Sequence, residues 1–198
     1  MADVDSSTGG YLSPEGTPAP EHDDELDALF QTAIRNITAL PGSLVRPRWQ
    51  PNPPKQPEAD VNWCALAVTA IEADAGPAIK HISAGEGSAQ YERHEELQLF
   101  VTFYGPRAGA FAALLRDGIS MPQNMEALRA NEIGFVDCGR ARRVPEFVNQ
   151  TWIDRVDMLV RFRRKVTRRY GVRNLLAADI NLIDDTHVDE LITVPPAP

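Results

Sequence analysis

Two kinds of position alternate along the segment "EELQLFVTFYG" (Glu95–Gly105). One set is uniformly apolar and large: Leu97, Leu99, Val101 and Phe103. The other set mixes polar and aromatic residues. A period of two is typical of a β-strand that buries one face and leaves the other partly solvated. We therefore expect a sheet with one face covered by other elements.

Three segments outside this strand indicate helices. Residues 26–37 repeat apolar side chains at steps of three and four, after a first turn that is acidic. A second helix is expected from about Arg107 to Asp117, ended by Gly118. A third is expected to begin at Ser120, which stands three residues before Gln123 as in a capping box.

Four further segments indicate strands: residues 62–74, 133–139, 152–170 and 174–185. Together with Glu95–Gly105 they predict a sheet of about five strands. The predicted fold class is therefore α+β, an antiparallel or mixed sheet with about three helices packed on one side. We expect a single domain of this kind over residues 22–186.

The two ends of the chain differ in composition from this domain. Residues 1–30 contain eight acids, residues 179–198 contain five, and neither segment has a Lys or Arg. Residues 1–21 lack apolar periodicity, so we expect a disordered acidic tail there and a flexible tail over residues 187–198. Residues 46–57 contain five prolines, and we expect an extended connector along the surface. Docking of a proline-recognition module on this connector is a minor alternative.

The segment "LVRFRRKVTRRY" (Leu159–Tyr170) is rich in Arg and raises the question of nucleic-acid binding. The whole chain, however, carries 20 Lys and Arg against 28 Asp and Glu, a net charge of −8 at pH 7. Dedicated DNA-binding domains are usually basic, because phosphate neutralisation supplies much of their affinity. A nucleic-acid-binding module is therefore an alternative and not the main interpretation.

A turn at Gly171 offers a structural explanation for the same segment. It predicts a hairpin between residues 152–170 and 174–185, in which Arg169 pairs with Leu175. In this register the even-numbered positions form a core face and the odd-numbered positions form a solvated face.

The cations of the predicted hairpin divide between these two faces. Four point to solvent: Arg161, Arg163, Lys165 and Arg169. Lys165 is expected opposite Asp179, an attractive cross-strand pair. Arg164 and Arg168 fall on the apolar side, and a position near the tip of the hairpin, beyond the core, would explain them.

No motif in the sequence indicates catalysis. The four His are scattered, and none stands at metal-ligand spacing with another His or with Cys64 and Cys138. We interpret both Cys as reduced thiols of the core in a cytoplasmic setting. The loop "GEGS" (Gly85–Ser88) lacks the Lys of a phosphate-binding loop. We therefore predict a protein that is not an enzyme and has no metal, no cofactor, no signal peptide and no membrane span.

The order of segments from Leu97 to Val166 resembles the neck or tail terminator proteins of contractile-tailed bacteriophages. A strand that ends in Tyr-Gly is followed by the alanine-rich helix of "GPRAGAFAALLRDGI" (Gly105–Ile119). A short strand then leads to a Pro-Glu turn, and a W-x-x-R-x-D motif opens the long basic strand with Trp152, Arg155 and Asp157. The resemblance covers roughly residues 25–185.

This resemblance implies a structural virion protein of the tail or neck, assembled in the host bacterial cytoplasm. Such a protein forms a ring, typically hexameric, on the head-proximal end of the tail tube, stops tail polymerisation and joins the tail to the head. Its implied partners are further copies of itself, the tail tube, tail sheath and neck or head-completion proteins, while genomic DNA passes through without sequence recognition. We predict that Arg161, Arg163, Lys165 and Arg169 contact one of these partners. Another connector, head-completion or tube component is the nearest alternative.

Overall fold

The computed structural model describes residues 5–16, 19–148, 150–175, 178–182 and 190–194. The chain divides into two compact units. The larger unit consists of residues 18–77 and 92–166, and the smaller unit of residues 1–17, 78–91 and 167–198.

Three helices form where the sequence shows helical spacing: α1 (Asp23–Thr38), α2 (Ala108–Ile119) and α3 (Glu126–Ala130), with 3-10 turns at Gly42–Leu44 and Pro122–Met125. Two predicted helix ends were wrong. Gly118 does not stop α2 but lies inside it, where a Cβ atom would come within 2.5 Å of a methyl carbon of Ile37 in α1. Ser120 does not cap α3, since its hydroxyl donates to the Arg116 carbonyl instead.

The strands, in chain order, are β1 (Val45–Pro47), β2 (Trp63–Ala73), β3 (Ala78–Ile82), β4 (Ser88–Tyr104), β5 (Ile133–Cys138), β6 (Arg142–Arg143), β7 (Glu146–Val148), β8 (Thr151–Ile153), β9 (Arg155–Tyr170), β10 (Ala178–Leu182) and β11 (Glu190–Val194). The main sheet has the order β1-β2-β4-β9-β5, with β3 beside β4 and β6 beside β9. It is mixed, because β1 is parallel to β2 whereas β2–β4 and β5–β9 are antiparallel. The α+β class is confirmed, with seven strands in the sheet.

One apolar cluster joins the three helices to a single face of the sheet. Leu97, Leu99, Val101 and Phe103 of β4 are buried in it, as their spacing predicts. Phe30 of α1 lies against Phe162 of β9, with ring centroids 4.8 Å apart. Burial of these aromatic and aliphatic side chains, at about 1.5–3 kcal/mol each, fixes the helices on one side of the sheet.

The predicted hairpin between residues 152–170 and 174–185 was wrong. β9 is bordered by β4 on one edge and by β5 and β6 on the other, and β10 pairs with β11 instead. Along Val160–Arg164, where the predicted register would place residues 180–184, β5 already pairs with β9. The predicted alternation of faces along β9 is nevertheless confirmed, since Val160, Phe162 and Val166 are buried.

Candidate partner interface

The sheet face opposite the helices, here called the open face, carries polar and aromatic side chains of the larger unit. Since successive side chains of a strand point to opposite faces, the residues between the buried positions of β4 and β9 belong to it. They include Phe100, Thr102 and Tyr104 from β4 and Arg155, Asp157, Arg161 and Arg163 from β9.

Arg161, the first cation of the predicted interface, is paired with carboxylates of its own chain. Its Nε donates to Asp137 Oδ1 at 2.8 Å, its Nη2 contacts the second oxygen of Asp137, and its Nη1 lies 3.6 Å from Glu96 Oε1. This hydrogen-bonded guanidinium lowers the pKa of Asp137 below its usual value. The pair joins β9 to its neighbours β5 and β4.

The next two cations of the predicted interface, Arg163 and Lys165, are also paired with carboxylates of the chain. Arg163 Nη2 donates to Asp74 Oδ2 at 2.7 Å, and Lys165 Nζ lies 3.7 Å from Glu132 Oε2. Lys165 is thus paired with Glu132, and Asp179, predicted to lie opposite Lys165, lies opposite Thr193 in the β10–β11 ladder. The fourth cation, Arg169, belongs to the smaller unit, where its Nε donates to Ser88 Oγ at 3.2 Å.

The predicted cationic row is therefore not a bare positive stripe. Three of its four members have a carboxylate partner within the chain, and these partners come from segments distant in sequence: Asp74, Glu96, Glu132 and Asp137. A ligand that binds here meets a surface of mixed charge.

Arg164, which the sequence pattern left unexplained, is buried in the core and does not lie at a hairpin tip. Its side chain is 2% exposed. Its Nε and Nη2 both donate to Glu95 Oε2, at 3.1 and 2.6 Å, and its Nη1 donates to the Glu21 carbonyl oxygen at 2.5 Å. Arg164 thereby ties β9 to β4 and to the residue that leads into α1.

The Arg155 and Asp157 side chains of the W-x-x-R-x-D motif form one hydrogen-bonded network on the open face. Being two residues apart on a strand, they point to the same side. Arg155 donates two hydrogen bonds of 2.9 Å to the two carboxylate oxygens of Asp157. Thr102 donates to Asp157 at 2.9 Å and contacts Arg48, while Arg155 lies 3.7 Å from Glu146. Such a bidentate pair is among the more specific polar contacts in proteins.

The third motif residue, Trp152, belongs to an exposed aromatic pair that the sequence did not predict. β7 and β8 form a two-stranded antiparallel ladder in which Phe147 lies opposite Trp152. The two rings are 5.1 Å apart, and the residues are 57% and 66% exposed. Exposed aromatic pairs of this kind are typical of binding hot spots. The feature of the sequence that could have indicated this aromatic pair is Phe147, which directly follows the Pro-Glu turn.

Among the described residues, neither the two Cys thiols nor the side chains that could ligate a metal form a candidate reactive site. Burial raises the pKa of both Cys64 and Cys138, so each is protonated at neutral pH. Both Cys are free thiols, of which Cys64 is buried and Cys138 partly buried. Within the part of the chain that the structure describes, no group of three or more His, Cys, Asp or Glu is placed to hold a metal ion.

Comparison with protein families provides an identity for this arrangement. The family model described as phage neck terminator protein matches residues 24–192, a range that begins in α1 and extends into β11. The chain belongs to the phage neck terminator family. The resemblance seen in the sequence is confirmed. A search of curated proteins gave no match.

As a neck terminator, the protein is a structural component of the phage neck and is located in the virion. It interacts with other proteins of the phage tail or head. In the described part of the chain, every helix is too short or too polar to cross a membrane.

Proposed function

We propose that the protein forms a closed ring, typically of six subunits, on the head-proximal end of the tail tube of a contractile-tailed phage. The ring stops tube polymerisation and presents a surface to the neck or head-completion protein, while sheath and tube lie on its other side. Genomic DNA passes through its centre without sequence recognition. The neck terminator family match over residues 24–192 is the observation that carries this proposal.

Two surface features of the larger unit support an assembling protein. The first is the exposed pair Phe147–Trp152, which offers a rigid aromatic anchor to a partner. The second is the edge of β2, because β1 pairs only with Cys64, Ala65 and Leu66 of that strand. In the described residues no strand borders the rest of that edge, and open edges accept strands from neighbouring molecules.

The nucleic-acid-binding alternative loses its main support. Arg161, Arg163 and Lys165 are already paired with carboxylates of the chain. Phosphate binding would have to displace these carboxylates, so the segment offers less charge than its composition suggests. We also propose that the protein is not an enzyme, in keeping with a structural role.

Tail length in the phage tests the proposal. An amber mutation in the gene should yield tail tubes of uncontrolled length that do not join heads, and expression of the wild-type chain in the same cells should restore uniform tails. Uniform tails that are joined to heads without this protein would contradict the proposed role. Long tubes built from the purified protein itself would identify a tube component instead.

A further inference from the structure

A groove of about 270 Å³ lies between the proline-rich connector and the open face of the larger unit. Trp49, Pro53 and Pro54 line it from the connector, and Trp63 and Tyr104 line it from β2 and β4. The Trp63 and Tyr104 rings are stacked, with centroids 4.2 Å apart and planes 6° from parallel. The guanidinium of Arg46 lies 5.8 Å from the Trp63 ring. These contacts make this wall of the groove aromatic and rigid.

Trp49 stands at the rim of the groove in an unfavourable conformation. Its φ angle is +56°, and the residue is 75% exposed. A left-handed backbone is strained for a residue other than Gly, and exposing an indole to water forgoes its burial. A partner that covers the ring restores the burial of the indole, and this gain can offset the backbone strain; Trp is enriched among binding hot spots.

The lining of the groove indicates the chemistry of its occupant. Aromatic side chains with a few polar groups are typical of grooves that bind proline-rich segments in the polyproline II conformation. Such a segment is already extended, so little conformational entropy is lost on binding. The groove also contains Arg46 and Arg48 and, among the described lining residues, no carboxylate. It therefore suits a proline-rich segment that is accompanied by acidic residues.

The chain itself contains a segment of this composition. Val194–Pro198 reads "VPPAP", and the preceding twenty residues include five acids and no Lys or Arg. We propose that the groove at Trp49 binds residues 194–198 of a second copy of this chain. The prolines contact the indole rings, and the acids upstream lie near Arg46 and Arg48.

A contact of this kind joins two different surfaces of neighbouring copies. Such head-to-tail contacts generate rings when the rotation between copies closes. The inference thus rests on the proposed ring, for which it names one of the subunit contacts.

Photo-crosslinking between two isotopically distinct copies tests the inference. Full-length chain with benzoylphenylalanine at Ala197 is assembled with ¹⁵N-labelled chain, irradiated and analysed by mass spectrometry, and the same sample is imaged by electron microscopy. We expect crosslinks from position 197 of the unlabelled copy to residues 46–57 of the labelled copy. Trp49→Ala in the labelled copy should reduce their yield at least about tenfold, as expected for loss of a hot-spot residue. Tyr11→Ala, which removes an exposed aromatic side chain that does not line the groove, is the control and should leave the yield unchanged.

The outcomes separate the parts of the inference. Crosslinks confined to unlabelled chains, or directed to another surface, would overturn it. An undiminished yield after Pro195→Ala, Pro196→Ala and Pro198→Ala in the benzoylphenylalanine copy would overturn the role of the prolines. Rings in the micrographs without the expected crosslink reject this contact and leave the proposed function standing. A sample without rings, with or without tail tubes, counts against the proposed function itself.

Discussion

Among the described residues, Arg164 carries the one fully buried guanidinium. Replacement by Met removes this group and keeps most of the side-chain length. The change deletes two hydrogen bonds to Glu95 and one to the Glu21 carbonyl. Removing one partner of a buried ion pair typically costs about 3–5 kcal/mol, because the other charge is left without compensation. The Glu95 side chain is 14% exposed and can gain some hydration, so we expect about 3 kcal/mol.

A double-mutant cycle makes this prediction specific to the ion pair. Glu95→Gln removes the other charge, and the double mutant Arg164→Met/Glu95→Gln has no unpaired charge. We therefore expect the double mutant to lose at least about 1–2 kcal/mol less than the two single changes together. The neighbouring variant Arg163→Met is the matched control, because its half-exposed pair with Asp74 should contribute only about 0.2–1 kcal/mol.

Urea denaturation followed by circular dichroism measures these free energies of unfolding. A cost below about 1 kcal/mol for Arg164→Met, or strict additivity in the cycle, would refute the argument that Arg164 and Glu95 form a buried, coupled pair.

Three further predictions concern the ends and the open face. Hydrogen bonds from Ser7 and Arg173 lower the pKa of Asp5 to about 2. These contacts are therefore present above about pH 4 and should be lost as the pH falls toward 2. The NMR chemical shift of the Ser7 amide should report this transition, and Asp5→Asn should abolish it. Of the described residues, deletion of residues 1–16 removes polar contacts and no member of the apolar cluster. Calorimetry should therefore show a melting temperature within a few degrees of the wild type, and a large drop would show that this segment is integral to the fold. Arg161→Glu with Arg163→Glu places like charges beside Asp137 and Asp74, which are half exposed, so we expect reduced stability but a folded chain. We predict impaired ring formation or tail capping, beyond that of the neutral double variant with Gln, and normal infectious tails would show that the row has no partner.

The sequence predicted those parts of the fold that depend on local periodicity. The helical spacing of residues 26–37 and the alternation along β4 and β9 report which side chains are buried, because burial follows from the geometry of one helix or strand. The pairing of β9 could not be predicted in this way. β4 is separated from β9 by two helices and four strands, and β5 by three short strands. The Gly171 turn favoured a local hairpin, but β10 forms a separate two-stranded sheet with β11.

In the candidate interface, too, the sequence predicted which side chains are exposed but not which distant residues they contact. The alternation placed Arg161, Arg163 and Lys165 on the exposed side correctly, but their partners lie from 24 to 89 residues away. Arg164 stood out as a charge on an apolar face, and its explanation required Glu95, 69 residues away. β3 was missed because four of its five residues are exposed and no apolar period marks it.

Electron microscopy of the purified protein, alone and mixed with tail tubes, tests whether the protein forms a ring that caps the tube. We predict closed rings, free or bound to one end of each tube, and tubes that no longer elongate when tube protein is added. Monomers that leave both tube ends bare and free to grow would contradict it.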